Sequence, residues 1–537
     1  MTFGKRLAAA AVSAVLSLAA FSVPVSADEP YTGYNYDRWE DPVPSQNGYT
    51  VERVADGRDL DLGRFADPAG TDTVMGNPGG LDKPSDIFID RESGTIYIAD
   101  TGNNRIVVTD ETFSPESVRI IDELHYGGEF PESRSTVKET GFDAPGGVFV
   151  RKNSSGDNII YVADSGNNMI AAFSDELEIV MEYVRPSDEV FGADKSFAPE
   201  KVTVDSAYSV YAVVPSVTQG AMRFSSDGVF SGYFGANRVT ATADVIAEQF
   251  WKLIYTREQI TAMRRSVAMS ISNLDTDDKG FIYTVTADKS SDTDVLKKLN
   301  SAGTNVLIGL GYADRIYGDA GTVHYKGTSY SSIISDVDVD EEGNIYLLDK
   351  ASGRVFEYSD ECDLLFIFGT KGFRDSRGNQ KGTFRAPAAV ETYNGKVYVV
   401  DSLKNSVTVF RRTEFGGIVH KAIRLFNEGY YEEAREPWEE VLRRDANYRL
   451  AYIGLGNACL SADDYESAMN YFYLNSRQGY DRAFKSRRLE MVRENFNIFL
   501  VIVLAVIAAL IVLTRIKKTK RRPKTNISRK EDDEHEI

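Results

Sequence analysis

Six short segments of the chain share one pattern, and the polar residues within it could bind a metal ion. The segments lie at residues 84–90, 145–151, 199–205, 271–277, 334–340 and 387–393. The residue just before the matched apolar position is, in chain order, Asp86, Gly147, Lys201, Asn273, Asp336 and Ala389. Calcium prefers hard oxygen ligands such as carboxylates and amides. Asp86, Asn273 and Asp336, with Glu200 nearby, therefore predict a calcium site if the six segments converge.

A second interpretation of these residues needs no metal. If the segments radiate from one axis, the same side chains surround the mouth of a polar, water-filled channel. The sequence contains no Walker loop, no HExxH, no Cys-x-x-Cys and no nucleophile elbow. Calcium is thus the one cofactor that the residues suggest, and the metal-free channel is the simpler alternative.

The elements that must position these residues are repeated β-strands. The stretch YIADTGNNRI at 97–106 returns as YVADSGNNMI at 161–170, 64 residues later. Each copy alternates as a strand does, turns through Gly and Asn, and starts another strand. One hairpin cannot bury its own apolar face, so several such units must pack side by side.

This pattern of Pro, an apolar strand, Gly, Ile-Tyr-Val-Ala-Asp, Gly-Asn-Asn and Arg-Ile is similar to NHL repeats, which form β-propellers. The resemblance extends over residues 81–410 and is strongest in the first two units. It implies a mainly β fold, a six-bladed NHL-type propeller at 76–412 around a central channel. In the preceding segment, 28–75, the alternating residues 49–54 are expected to complete the last blade. Asp100, Asp164, Asp349 and Asp401 precede turns and are predicted to accept hydrogen bonds from backbone N–H groups.

The resemblance also bears on chemistry. Propeller lyases that resemble NHL arrays use several histidines around a metal, whereas only His125 and His324 fall in or between these blades. A zinc lyase is therefore not expected. Propeller lactonases of the gluconolactonase and paraoxonase kind use an oxygen-rich central site, which makes a calcium-dependent lactonase or hydrolase the alternative function.

One insertion interrupts the array at 236–265, where apolar residues recur at helical spacing. The two helices that this spacing predicts either pack onto the disc as a cover or form a wall of a binding site. The second interpretation predicts Phe250 and Trp251 as binding residues, in addition to Glu200 and Lys201 at the channel mouth.

A different period follows the propeller. Five positions recur with similar residue types 34 residues later. The first set is Phe426, Gly429, Tyr431, Ala434 and Trp438, and the second is Leu460, Asp463, Tyr465, Ala468 and Phe472. This is the period of tetratricopeptide repeats, so residues 416–495 look like two such helix pairs with a final helix. Two repeats make a small module, which is expected to depend on a neighbour for stability.

The two ends of the chain predict its topology. Residues 1–27 have the basic, apolar and small-residue regions of a secretory signal peptide. Residues 496–514 are long enough, at about 28 Å, to cross a bilayer as a helix. The basic residues that begin the tail at 515–537 place the C-terminus in the cytoplasm.

The net charge of −19 argues against nucleic acid as a partner. The sequence thus favours a membrane-anchored extracytoplasmic binding or scaffold protein. Its propeller face and helical repeats would recruit a protein, peptide or glycan at the cell surface, and an enzyme is the less favoured interpretation.

Overall fold

The computed structural model describes residues 29–520 except 38, 40, 67–76, 78, 129, 193–194, 238–269, 288–294, 313–314, 320–322, 326–327, 373–379 and 476–478. The predicted signal peptide, nearly all of the predicted insertion at 236–265 and most of the predicted tail lie outside the described residues. The chain forms two compact units. The first comprises residues 1–424 and 440–448, and the second comprises 425–439 and 449–537.

The first unit contains a six-bladed β-propeller, which confirms the predicted fold class. In each blade the strands pair antiparallel in chain order. From the innermost strand outward they are Asp86–Asp90, Thr95–Asp100, Arg105–Thr109 and Arg119–Ile121 in blade 1; Pro145–Lys152, Asn158–Asp164, Met169–Ser174 and Glu178–Val184 in blade 2; Lys201–Val204, Val210–Val213, Ala221–Phe224 and Phe230–Phe234 in blade 3. They continue as Asn273–Thr276, Ile282–Val285 and Leu296–Leu299 in blade 4; Ile334–Val339, Ile345–Asp349, Arg354–Tyr358 and Leu364–Phe368 in blade 5; Pro387–Tyr393, Lys396–Asp401 and Ser406–Arg412 in blade 6.

An N-terminal strand completes blade 6. Tyr49–Asp56 pairs antiparallel with Ser406–Arg412, with Tyr49 opposite Arg412 and Asp56 opposite Ser406. The strand therefore lies where the alternation at 49–54 placed it. The innermost strands of successive blades contact each other, and those of blades 6 and 1 also meet, so the ring is closed. Closure of this kind brings the two ends of the propeller sequence into one sheet.

Smaller elements lie between and around the blades. They are the strands Tyr34–Tyr36, Pro42–Pro44, His125–Tyr126, Val323–Tyr325, Thr328–Tyr330, Thr370–Lys371 and Thr383–Phe384, the 3-10 helices Leu62–Phe65, Thr101–Asn103, Pro115–Ser117 and Glu132–Arg134, and the short α-helices Asp188–Phe191 and Val306–Leu310.

The core of the propeller lies between neighbouring blades. Side chains of each strand alternate between the two faces of the blade, so every blade contributes apolar residues to two interfaces. Ile87 and Ile89 of blade 1, for example, pack against Val400 of blade 6, whereas Tyr97 of blade 1 packs against Val150 of blade 2. The blades depend on one another for burial, as the repeat pattern requires.

The first C-terminal helix, Glu414–Asn427, places a histidine in a buried charged cluster of the first unit. His420 is 6% exposed, and its Nε2 lies 2.8 Å from Oε1 of the fully buried Glu357. Its Nδ1 lies 3.3 Å from Oε2 of Glu342. The helix also approaches the N-terminal segment closely, because a Cβ added at Gly416 would lie 2.3 Å from the carbonyl oxygen of Gly48.

The remaining helices are Arg435–Arg444, Arg449–Ser461, Tyr465–Leu474, Tyr480–Glu494 and Phe496–Lys520. Within the second unit, small residues face aromatic rings. A Cβ at Gly454 would lie 2.2 Å from Trp438 Nε1, and one at Gly456 would lie 2.5 Å from the Phe472 ring. Of the described helices, one is long and apolar enough to cross a membrane, at Phe496–Lys518.

Candidate functional site: the two mouths of the central channel

The innermost strands direct two layers of side chains towards the channel. Residues of each strand that face the preceding blade, such as Val202 and Val204, are buried in an interblade core. The alternate residues face the channel and the following blade. They form a first layer of Asp86, Gly147, Lys201, Asn273, Asp336 and Ala389, and a second layer of Phe88, Phe149, Thr203, Asp275, Asp338 and Glu391.

The first layer brings together the three predicted calcium ligands. Asp86 and Asp336 are 8% and 2% exposed. The Asn273 side-chain amide donates a hydrogen bond to Asp336 Oδ1, and the Lys201 ammonium donates one to Asp86 Oδ1. Lys201 also donates to the carbonyl oxygen of Ser85 at 2.9 Å. The layer is therefore a mixed ring of anions, an amide and an ammonium group.

Both carboxylates of the first layer hold the next blade in place. Asp86 Oδ2 accepts a hydrogen bond from the backbone N–H of Val148 in blade 2 at 2.9 Å. Asp336 Oδ2 accepts one from the N–H of Val390 in blade 6 at 2.6 Å. An innermost strand is the edge of its sheet, so its N–H groups on the channel side need such acceptors.

Burial controls the ionisation of these groups. It raises the pKa of Asp336 to about 7, although the nearby Lys201 ammonium acts in the opposite direction. Burial also raises the pKa of Asp86, again opposed by Lys201. A carboxyl group with a pKa near neutrality could act as a general base, and this is the chemistry that the layer could offer.

The residues fit a calcium ion only in part. Asp86, Asn273 and Asp336 supply oxygen atoms, but the Lys201 ammonium already provides positive charge, and a calcium ion would have to displace it. No group of three or more His, Cys, Asp or Glu side chains suited to a metal is found in the part of the chain that the structure describes. The calcium site stays a prediction.

A cavity of about 560 Å³, here called the top mouth, opens where the innermost strands begin. Glu200 and Lys201, two of the predicted binding residues, line it, together with Lys350. The hydroxyl residues in its wall are Ser85, Thr101, Ser165, Ser270, Ser272 and Ser335. Phe250 and Trp251, the other predicted binding residues, lie outside the described residues.

Several of these hydroxyls also join neighbouring blades. Thr101 Oγ1 donates to the carbonyl oxygen of Pro145 at 2.8 Å, and Ser165 Oγ donates to that of Pro199 at 2.6 Å. Thr101 and Ser165 occupy equivalent positions in the two best repeats. The repeat signature thus carries an interblade contact at the rim of the top mouth.

A second signature residue behaves differently in the two copies. Asn104 Oδ1 accepts a hydrogen bond from the N–H of Ala144 in the next blade at 2.9 Å. The equivalent Asn168 bonds locally to Gly166 through its side-chain amide. Both asparagines have left-handed backbones, with φ of 54° and 56°.

The four aspartates that precede the turns hold the backbone, as the sequence predicts. Each is fully buried and accepts a hydrogen bond from an N–H before the innermost strand of its own blade. The pairs are Asp100 with Asp82 at 2.7 Å, Asp164 with Asp143 at 2.9 Å, Asp349 with Ile333 at 2.9 Å and Asp401 with Arg385 at 2.6 Å.

The second layer contains an acidic cluster that the sequence reasoning missed. Asp275 Oδ2 accepts from the N–H of Val339 in blade 5, and Glu391 Oε1 accepts from the N–H of Ile89 in blade 1, both at 3.2 Å. Asp338 Oδ1 lies 3.7 Å from the Arg91 guanidinium. These acidic residues lie two positions after the first-layer residues of the same strands. Because side chains alternate along a strand, that position also faces the channel, and the cluster could have been predicted from this spacing.

The surroundings of the second layer disfavour the ionised form of its carboxyl groups. Burial and then the carboxylate of Asp338 raise the pKa of Asp275 well above its ordinary value, and the same causes act on Glu391. Burial raises the pKa of Asp338, opposed by Arg91. This layer faces a cavity of about 470 Å³ at the ends of the innermost strands, here called the bottom mouth.

Comparison with known proteins supports the repeat. The sequence model of the NHL repeat matches residues 81–108. No curated protein matches the chain significantly. Among solved structures, the chain is similar to virginiamycin B lyase from Staphylococcus aureus, with 10% identity over 67% of this chain and 99% of that chain, at a TM-score of 0.35. It is also similar to a gluconolactonase from Xanthomonas campestris, with 9% identity over 62% and 87% of the two chains, at a TM-score of 0.34. The first blade thus contains an NHL repeat.

Proposed function

We propose that this protein is a membrane-anchored extracytoplasmic binding protein whose top mouth recruits a protein, peptide or glycan. The observation that carries the proposal is that the first layer and the top mouth of the channel differ in what their polar groups contact. Most polar groups of the first layer are engaged in hydrogen bonds to the next blade, whereas the top mouth above them is an open cavity of about 560 Å³ with exposed Glu200 and Lys350 at its wall. Such a cavity suits recognition by shape, hydroxyls and a few charges.

Membrane anchoring is supported by the apolar helix at Phe496–Lys518. Its 23 residues extend about 35 Å, enough for a hydrocarbon core of about 30 Å. The predicted signal peptide and the basic residues that follow the helix support an orientation with the propeller outside and the C-terminus in the cytoplasm.

The C-terminal helices serve as a second recruiting module in this proposal. The close approaches of Gly454 to Trp438 and of Gly456 to Phe472 are the small-residue and aromatic contacts that tetratricopeptide helices use. They support the tetratricopeptide character that the 34-residue period predicts.

Topology is tested by single cysteines in intact cells. The chain's own Cys362 and Cys459 are buried. Ser154→Cys, in an exposed turn of blade 2, should react with a membrane-impermeant maleimide, whereas Ser528→Cys in the tail should react only after permeabilisation. The opposite labelling pattern would contradict the proposed orientation.

Recruitment is tested by placing a photo-crosslinking residue at Lys350 in the top mouth and, as the matched control, at the exposed Asp227 on the outer edge of blade 3. A discrete crosslinked species should form only from Lys350 and should weaken when Glu200 is changed to Lys. Equal yields from both positions, or no effect of the charge reversal, would argue against the top mouth as the binding surface.

The second candidate is a hydrolase, favoured by the pKa of about 7 at Asp336 in the layer below the top mouth. A calcium-dependent lactonase would lose activity in Asp336→Asn but retain it in Glu176→Gln, a change in an exposed turn of blade 2. Lactone hydrolysis that depends on both calcium and Asp336 would establish this candidate in place of simple binding.

A further inference from the structure

The bottom mouth has a chemical asymmetry that runs across the channel. In the second layer, consecutive blades 4, 5 and 6 contribute Asp275, Asp338 and Glu391. Blades 1 and 2, on the other side, contribute Phe88 and Phe149, whose ring centroids lie 4.8 Å apart. Phe88, Phe149, Asp275 and Glu391 all line the same cavity. The cavity therefore has an apolar aromatic wall and an acidic wall.

Acidic side chains outnumber basic side chains in the wall of this cavity. Of the described residues, six carboxylates line it, against three basic side chains. Arg91 serves the three carboxylates of the second layer and is partly committed to the carbonyl oxygen of Val339. Arg151 donates to the carbonyl oxygen of Val204 at 2.6 Å, and Lys152 pairs with Glu92 at the rim. A second cation inside the cavity would favour the ionised form of these acidic groups, which burial disfavours.

The two walls indicate the class of ligand that this cavity suits. A divalent cation prefers a shell of oxygen atoms, which the two aromatic rings cannot supply. An ammonium or guanidinium group on an alkyl stem matches both walls, because its head pairs with carboxylates while its stem and charge face aromatic rings. The cavity of about 470 Å³ has room for such a group.

We propose that the bottom mouth binds an organic cation, an alkylammonium or alkylguanidinium group, with its head near Asp275 and Glu391 and its stem against Phe88 and Phe149. The same chemistry is present in free polyamines and in the lysine or arginine side chains of a peptide. The inference does not rest on the proposed function, which concerns the top mouth.

Calorimetric titration of the purified full-length chain in detergent tests this site. The probes are n-pentylamine, its neutral match 1-pentanol, and sodium chloride at equal ionic strength. Pentylamine should bind saturably, whereas pentanol and salt should not. Cadaverine and Nα-acetyl-lysine amide then distinguish a free diamine from a peptide side chain, according to which binds more tightly.

Three variants locate the binding. Glu391→Gln and Asp275→Asn keep a carbonyl oxygen for the backbone N–H that each residue holds, and each should weaken pentylamine binding about tenfold, as the loss of one ion pair does. Phe149→Leu should weaken it without a change of charge. Glu176→Gln, in the exposed turn before the fourth strand of blade 2 and outside both mouths, is the matched control and should bind as the wild type does.

Circular dichroism establishes that each variant is folded, and if one is not, the other two decide. Equal binding of pentylamine and pentanol, or unchanged affinity in the folded variants, would overturn the proposal. Saturable binding of calcium that Glu391→Gln abolishes would replace the organic cation with a metal ion.

Discussion

Replacing His420 with glutamine should remove a pH-dependent contribution to the stability of the first unit. Burial by itself lowers the pKa of His420, but the carboxylates of Glu357 and Glu342 outweigh it and raise this pKa from 6.5 to about 9. A raised histidine pKa means that protonation favours the folded state. The contribution is therefore fully present below pH 6.5 and is lost as the pH rises through 9.

The magnitude follows from the two pKa values. A shift of about 2.5 units corresponds to about 3 kcal/mol of differential interaction. Linkage gives a contribution of about 3 kcal/mol at pH 6, about 2 kcal/mol at pH 7.5 and about 0.2 kcal/mol at pH 9.5. The buried position of Glu357 supports the larger figure at low pH, because removing one partner of a buried ion pair costs about 3–5 kcal/mol.

Urea denaturation of wild-type protein and His420→Gln at these three pH values, followed by far-ultraviolet circular dichroism, measures the difference in unfolding free energy. That difference should decrease by about 3 kcal/mol between pH 6 and pH 9.5. His125→Gln is the control, because His125 is exposed on a short edge strand and should leave stability unchanged. A difference that stays constant with pH would refute the assignment of the charge to His420.

Three further substitutions test close packing, interblade hydrogen bonding and the first channel layer. Gly416→Ala should destabilise the protein by about 2 kcal/mol through overpacking, whereas Gly417→Ala, with open space around it, should stabilise the helix by about 0.5–1 kcal/mol, both by thermal denaturation. Asn104→Ala should cost about 1 kcal/mol more than Asn168→Ala, since both lose a left-handed asparagine but only the first loses an interblade hydrogen bond; equal costs would contradict this role. Lys201→Met should lower the free energy of unfolding by about 3 kcal/mol at pH 7, because it leaves a buried carboxylate without its cation. The loss should be smaller at pH 4, where protonation removes the charge of that carboxylate. Recovery of stability on adding calcium would reveal metal binding in that layer.

The propeller could be predicted because its signals are local and repeated. The alternation at 84–90 and the copies at 97–106 and 161–170 specify strands and turns without reference to distant residues. The strand at Tyr49–Asp56 could be assigned because a ring of blades needs its two ends to meet. In each of these cases the structure follows from a rule of period or closure.

The contents of the channel were only half predictable. Alternation placed Asp86, Asn273 and Asp336 in one layer, but it does not tell how far a flexible side chain reaches. The Lys201 ammonium donates a hydrogen bond to Asp86, which lies two blades away. Strand periodicity does not predict that the lysine side chain reaches so far. Likewise, the pairing of His420 with Glu357 joins a helix to a strand 63 residues earlier and depends on packing alone.

A propeller channel must contain polar side chains whether or not it binds a ligand. Each innermost strand turns an unpaired edge towards the axis, and the N–H groups of Val148, Val390, Val339 and Ile89 are all satisfied by carboxylates from the preceding blade. Acidic residues at the axis are therefore no evidence of a metal or of catalysis by themselves. The informative residues are those that do not make these interblade hydrogen bonds, such as the aromatic pair Phe88 and Phe149. Because both rings line the cavity as well as packing between blades, the bottom mouth offers recognition chemistry in addition to the hydrogen bonds that join the blades.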